Sequence, residues 1–408
     1  MENTKKNIDI YAEMIIKNGL NQKDNENVFI NCSSETMYFA EIIKNKIENN
    51  YKNSGVMIMK YDMDSDFMKK YKNRDDFYSK YPDEIVIKIT DFIKDRGSII
   101  NIYNPVIKTI SQKSSVLWNK INAVYSEKIG SKMFNSEIKW TTFSVATDEW
   151  AKRLFKNDDT ETAYNKLWDI IFRSNGMDEG YEKFLKDKKH KIQKTCDFLN
   201  KSSFEYILID SPGSYLEIKL PEGYLWKSSF QKVNQNESFT ANFPSYEVFT
   251  TPDFRNINGV IKTTKPVIFN GEEIPSSRFI IENGEIKKFE SKNKKLLGEL
   301  FSIDKGSSRF GEIALVSCED MPVNLKDFKN NLYNENISSH FAFGNAYTFT
   351  FISEKFSTFQ NGVNKSSVHI DFPFGEKNLN IYGINSKDEK ISLIENNKWS
   401  GIVKEVQK

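Results

Sequence analysis

The feature that most limits how this chain can fold is a change of texture near residue 200. Before it, strand-length apolar runs alternate with helix-length amphipathic ones; after it, short β-type runs follow one another with turn signals between them. Ile10, Met14, Ile15 and Ile16 recur at helical spacing, and Gly19 offers a stop. NVFINCS then reads as a strand, MYFAEIIKNKIENNYKN as a helix, VMIMKYD as a strand, and EIVIKITDFIKDRGSIINIYNP as a further helix and strand. That alternation predicts an α/β layer on a largely parallel sheet. Residues 160–199 read as helical again. From Phe204 onward YILIDSP, YLEIKLPEG, GVIKTTKPVIFNGEEI and RFIIENGEIKKFES predict strands, with Asn-Gly turns at Asn270 and Asn283. The expected organisation is an α/β N-terminal domain over residues 1–200 and a β-rich α+β C-terminal domain over 201–408.

Composition narrows the function classes. A chain of 408 residues is long enough for two cores. Its 58 Lys and Arg against 56 Asp and Glu leave a net charge of +2, which is no footprint for nucleic acid. The densest basic run, KFLKDKKHKIQK at 183–194, has apolar residues interleaved and reads as a solvated helix face, with His190 on the surface. No apolar run reaches the ~18 residues needed to span a bilayer, and the N-terminal segment lacks the apolar core of a secretory signal. Cys32, Cys196 and Cys318 form an odd, scattered set suited to free thiols in a reducing compartment. A cytoplasmic location with no membrane partner is the expectation.

The chemistry-bearing residues cluster in the second half. No G-x-G-x-x-G or P-loop opens a helix, and neither G-x-S-x-G nor H-E-x-x-H occurs. Of the 3 histidines, 2 lie in the last quarter. In SSVHIDFPFG, His369 and Asp371 are two apart on a strand-like run and so share a face, as a half-site for Zn, Co or Mn or as a hydrogen-bonded structural pair. In NENISSHFAFGNAY, a helix would put His340 and Tyr347 on one face; a core histidine packed on a tyrosine is the plainer reading. RFGEIALVSCED inserts Glu312 before an apolar run, where a carboxylate needs a partner or a metal. NFPSYEVFTTPD places Glu247 in a short β-type run.

Taken together, NFPSYEVFTTPD, GSSRFGEIALV, NENISSHFAFGNAY and NKSSVHIDFPFG resemble, in order and spacing, the thermophilic metalloaminopeptidase family of aminopeptidase T. YAEMIIKNGLNQKDNENVFINCS and TDEWAKRLF extend the resemblance over nearly the whole chain. The resemblance implies a C-terminal metal-binding domain with Glu247, Glu312, His340, His369 and Asp371 as ligands of two divalent ions, whether Zn, Co, Mn or Mg. It implies hydrolysis of the N-terminal residue from peptides by a metal-activated water, in a homodimer. Glu247 or Glu312 would bridge the ions or take the water's proton, and Tyr347 would ligate a metal or donate to the oxyanion. The family usually has two adjacent glutamates where this chain has Tyr246 and then Glu247, so a catalytically silent metal-binding relative is the alternative.

Overall fold

The computed structural model describes residues 2–61, 77–105, 112–233, 237–323 and 325–408. Asp62, at the end of the run VMIMKYD, lies outside them. The chain divides into two compact units, residues 1–181 with 230–243, and residues 182–229 with 244–408. The division falls earlier than the change of texture near residue 200. Helix Tyr181–Ser202 buries Leu185, Lys188, Ile192, Thr195, Cys196 and Leu199, and its neighbours include Trp226 and Gln407 of the second unit.

Among its described residues the first unit contains one five-stranded parallel sheet. Its strands are β1 (Val28–Cys32), β2 (Val56–Lys60), β3 (Ser98–Ile102), β4 (Lys139–Phe143) and the short β5 (Asn242–Phe243), in the order β2-β1-β3-β4-β5. The register sets Phe29 beside Ile99 and Ile99 beside Trp140. These three residues join a core with Val86 and Ile89 of helix α1 (Phe77–Ile93) and with Leu117 and Ile121 of helix α2 (Gln112–Tyr125). A second aromatic cluster joins Tyr11, Phe39, Phe143, Trp168 and Phe172. Helices cover the sheet as the near-continuous apolar strand VFINC requires of a parallel strand.

The second unit is built on antiparallel sheets. Eight strands pair in the order 285–290, 278–282, 257–262, 214–219, 206–211, 380–384, 390–395 and 398–399. The Asn-Gly turns form as expected: Asn270-Gly271 and Asn283-Gly284 all have positive φ and close two-residue hairpins. The smaller sheet consists of β6 (Val248–Thr250), β7 (Phe310–Leu315), β8 (His340–Gly344) and β9 (His369–Pro373), paired in that order. The fold is thus an α/β unit followed by a β-rich α+β unit. Among the described residues, no helix is long and apolar enough to cross a membrane.

Candidate metal centre

Strand alternation sorts the four-stranded sheet into two unlike faces. Directly paired residues share a face, so Glu312, Ala342 and Asp371 form one row, and Ala314, His340 and Pro373 the next. Gly344 pairs with His369 on the same face. Phe249 pairs with Ala314, and Glu247, two residues earlier and just ahead of β6, reaches the same side, with its carboxylate 3.2 Å from His340. The other face carries Phe341, Phe343 and Phe372. These rings pack with Phe279 of strand Arg278–Glu282 and, through Phe343, with Phe301 at the end of helix Lys294–Phe301.

Simple alternation fails at one place, and the site depends on that failure. Phe310 and Glu312 are two apart, yet Phe310 stacks on Phe341 at 4.5 Å while Glu312 lies on the polar face. A β-bulge between them opposes Phe310 to Phe343 and Glu312 to Ala342, leaving Gly311 as the extra residue. A Cβ on Gly311 would lie 2.4 Å from the Asn345 carbonyl oxygen, so only glycine fits without a shift.

The side chains converge. His369 Nε2 lies 2.8 Å from Glu312 Oε2 and 3.5 Å from Asp371 Oδ1; His340 Nε2 lies 3.2 Å from Glu247 Oε2 and 3.9 Å from Asp371 Oδ1. Each imidazole is aimed by its other nitrogen. His340 Nδ1 meets the Ser338 carbonyl at 3.1 Å and His369 Nδ1 the Asn345 carbonyl at 2.7 Å. A carbonyl only accepts, so Nδ1 carries the proton and Nε2 faces the carboxylates. Ser229 Oγ donates to Glu247 Oε1 at 3.3 Å. Glu247, Glu312 and His340 are buried, whereas His369 and Asp371 are partly exposed, so the site opens on their side.

The donors fall into two overlapping triads, Glu247–Glu312–His340 and Glu312–His369–Asp371, each with one atom per residue within 4.8 Å of the others. Glu312 belongs to both. The set fits divalent cations on an observation of its own: Asp371 Oδ1 is buried with no hydrogen-bond partner among the described residues, in a pocket of carboxylates and aimed imidazole nitrogens. A buried polar atom left so is costly unless a ligand satisfies it. Protons can do part of that work. Burial pushes Glu312 up to about 7. His340 rises to about 9, since its hydrogen bond to Glu247 and the surrounding carboxylates outweigh the burial that opposes them.

Tyr347 and His340 come together differently from the helical expectation. The helix α3 (Asn331–Glu335) ends five residues before His340, which opens β8 instead. Phe341 and Phe343 alternate with His340, Ala342 and Gly344, a period of two that commits the segment to a strand. Tyr347 follows just ahead of the 3-10 helix Thr348–Thr350, with its ring 4.8 Å from that of His369 and 5.4 Å from that of Phe249. Burial, then the nearby Glu312 and Asp371, hold its hydroxyl well above the ordinary tyrosine range.

Sequence reasoning missed Glu335. It ends α3, buried, with its side chain hydrogen-bonded to Asp371; burial, then the charges of Asp371, Glu247 and Glu312, push its carboxyl far up. The signal was a glutamate between two asparagines in NENISSH, five residues before His340.

Six converging residues of this kind bear directly on descent. The profile of the thermophilic metalloprotease family (M29) matches residues 4–399. The chain belongs to this family. Membership makes it a metal-dependent peptidase with peptides as its substrates. Aminopeptidase 2 of Geobacillus stearothermophilus is 26% identical over 98% of this chain and 99% of its own length. Aminopeptidase AmpS of Bacillus subtilis (strain 168) is 27% identical over 98% of this chain and 100% of its own. The solved structure of wild-type AmpT from Thermus thermophilus matches at a TM-score of 0.82, covering 97% of this chain and 99% of that one at 22% identity, a likeness of fold.

Proposed function

We propose that this M29 member is an active aminopeptidase, removing the N-terminal residue from peptides with two divalent ions held in its overlapping triads. The observation that carries the reading is the position of Glu312 in both triads, as expected of a carboxylate shared by a pair of ions. Two imidazoles among carboxylates suit Zn, Co or Mn better than Mg. Bound there, the ions would supply Lewis acidity, making water nucleophilic near neutral pH and polarising the scissile carbonyl.

The chain's own groups complete the chemistry. Glu335, outside both triads, holds a proton against Asp371 and can give it to the departing amine, while Glu247 or Glu312 takes the proton of the attacking water. Tyr347 keeps its phenolic proton at neutral pH and so acts as a donor toward the developing oxyanion. The partly exposed edge at His369 and Asp371 admits the substrate. The named relatives, aminopeptidases along their full lengths, support exopeptidase action. A homodimer in the cytoplasm completes the proposal, the pairing from the family resemblance and the compartment from three free cysteines.

The silent-relative alternative turned on Tyr246. Its ring lies against Lys188, 3.9 Å from Nζ to ring centroid, while the neighbouring Glu247 supplies the carboxylate of the first triad. Both triads are complete with tyrosine at 246, which supports turnover. The test is release of the N-terminal residue from a panel of short peptides and amino-acid anilides, with Co, Zn, Mn and Mg added separately to stripped protein. Metal bound without turnover under every condition would establish the silent relative instead.

A further inference from the structure

We infer that Lys188 is a positioning residue of the metal centre: its buried side chain, set on the face of Tyr246, holds the backbone that presents Glu247 to His340. The inference rests on the metal-centre reading above. The basic run at 183–194 does not form a wholly solvated face. Lys188 points inward on helix Tyr181–Ser202, on the same stripe as Leu185, Ile192 and Leu199, at 8% exposure.

An amine there calls for an explanation. Its Nζ has no hydrogen-bond partner among the described residues, although a lysine of this length ordinarily reaches water. What it has instead is two aromatic faces, Tyr246 at 3.9 Å and Phe184 at 4.8 Å from ring centroid to Nζ. Cation–π attraction is strongest where water is excluded, and the Tyr246 ring is itself 3% exposed. Burial lowers the Lys188 amine to about 7, and the nearby charge of Asp320, held by the Trp399 indole at 2.8 Å, works against that shift and favours the ammonium.

The contact reaches the metal centre through one residue. Tyr246 is fixed at both ends: its ring by Lys188, its N–H by donation to Asn336 Oδ1 at 2.7 Å. Asn336 in turn donates to the Leu332 carbonyl at 2.9 Å and to Glu335 Oε1 at 3.4 Å, so the same anchor touches both ends of the carboxylate cluster. Tyr246 and Glu247 are consecutive in the chain, so a ring locked at 246 restricts the directions open to the carboxylate at 247. A ring free to turn would let Glu247 swing from His340, 3.2 Å away.

The test separates positioning from bulk stability. Cobalt(II) is titrated calorimetrically into metal-stripped protein, alongside thermal unfolding of the same stripped samples. Lys188→Met, which keeps the volume and removes the charge, is expected to weaken cobalt binding about tenfold. Its Tm should stay level or rise, because a buried unpaired amine is relieved. Tyr246→Leu should weaken binding similarly, Tyr246→Phe should keep wild-type affinity because the ring remains, and the Lys188→Met/Tyr246→Leu double variant should be no weaker than the worse single one. Wild-type affinity in Lys188→Met, a loss that follows a fall in Tm, or additive losses in the double variant would each overturn the role. A wild-type chain that binds no cobalt fails differently: it removes the metal centre itself, and this role with it.

Discussion

The two faces of the four-stranded sheet are made by the same strands and share no chemistry. On one, Phe310, Phe341, Phe343 and Phe372 are at most 1% exposed and pack ring against ring with Phe279. On the other, the row Glu312–Ala342–Asp371 sets carboxylates on either side of a methyl group, and Gly344 lies beside His369. The aromatic face is satisfied by apolar burial alone. The polar face concentrates like charges that dry protein cannot hold without protons or cations. What the contrast teaches is a division of labour within single strands: close-packed rings fix the backbone, and small residues opposite leave space where the donors meet.

Removing donors should empty one face and spare the other. Glu312→Ala or His369→Ala is expected to lower hydrolysis of amino-acid amides or anilides at least about a thousandfold, about 4 kcal/mol of barrier, with an unchanged circular dichroism spectrum. Full activity in either variant after stripping and reconstitution would end the assignment. The converse is Phe341→Ala, expected to cost about 3–5 kcal/mol in denaturant unfolding, because Phe341 is fully buried and stacked on Phe310 and Phe372. A smaller loss would mean the aromatic layer is not the support described. Gly311→Ala tests the hinge between the faces; a predicted loss of about 1–3 kcal/mol should come with weaker metal binding, since the clash with Asn345 displaces the neighbouring Glu312.

The mildest test is pH. Because Glu312 keeps its proton up to about 7 and His340 up to about 9 without metal, cobalt must displace those protons. Both values are raised, so protons compete more strongly in acid. Affinity should therefore climb between pH 6 and 9, about tenfold per unit for each proton displaced, and level off above. Competition with a chelator at four pH values measures this; a flat profile would contradict the protonation described.

Much of this was legible in the sequence because it rests on periodicity. His369-x-Asp371 read directly as one strand face, the Asn-Gly pairs as hairpins, and the early helix-strand alternation as a parallel layer. What stayed hidden was where tertiary packing overrides a local pattern. Lys188 was lost in a lysine-rich run, although Leu185, Lys188, Ile192 and Leu199 follow the spacing of a buried stripe. Glu335 lacked any periodic context, since a helix end delivers it. His340 fitted a helix until the alternating phenylalanines were given weight. The bulge had no signal beyond a glycine, and without it Phe310 and Glu312 would have been assigned to one face.

That bulge inverts the usual ranking of mutational insults. Deleting residue 311 would leave Phe310 opposite Phe343 and Glu312 opposite Ala342, with the strand merely straightened. Enlarging it drives a side chain into a neighbouring carbonyl. At this one point, then, a missing residue is gentler than an exchanged one, and a homologue one residue shorter here would keep the same chemistry.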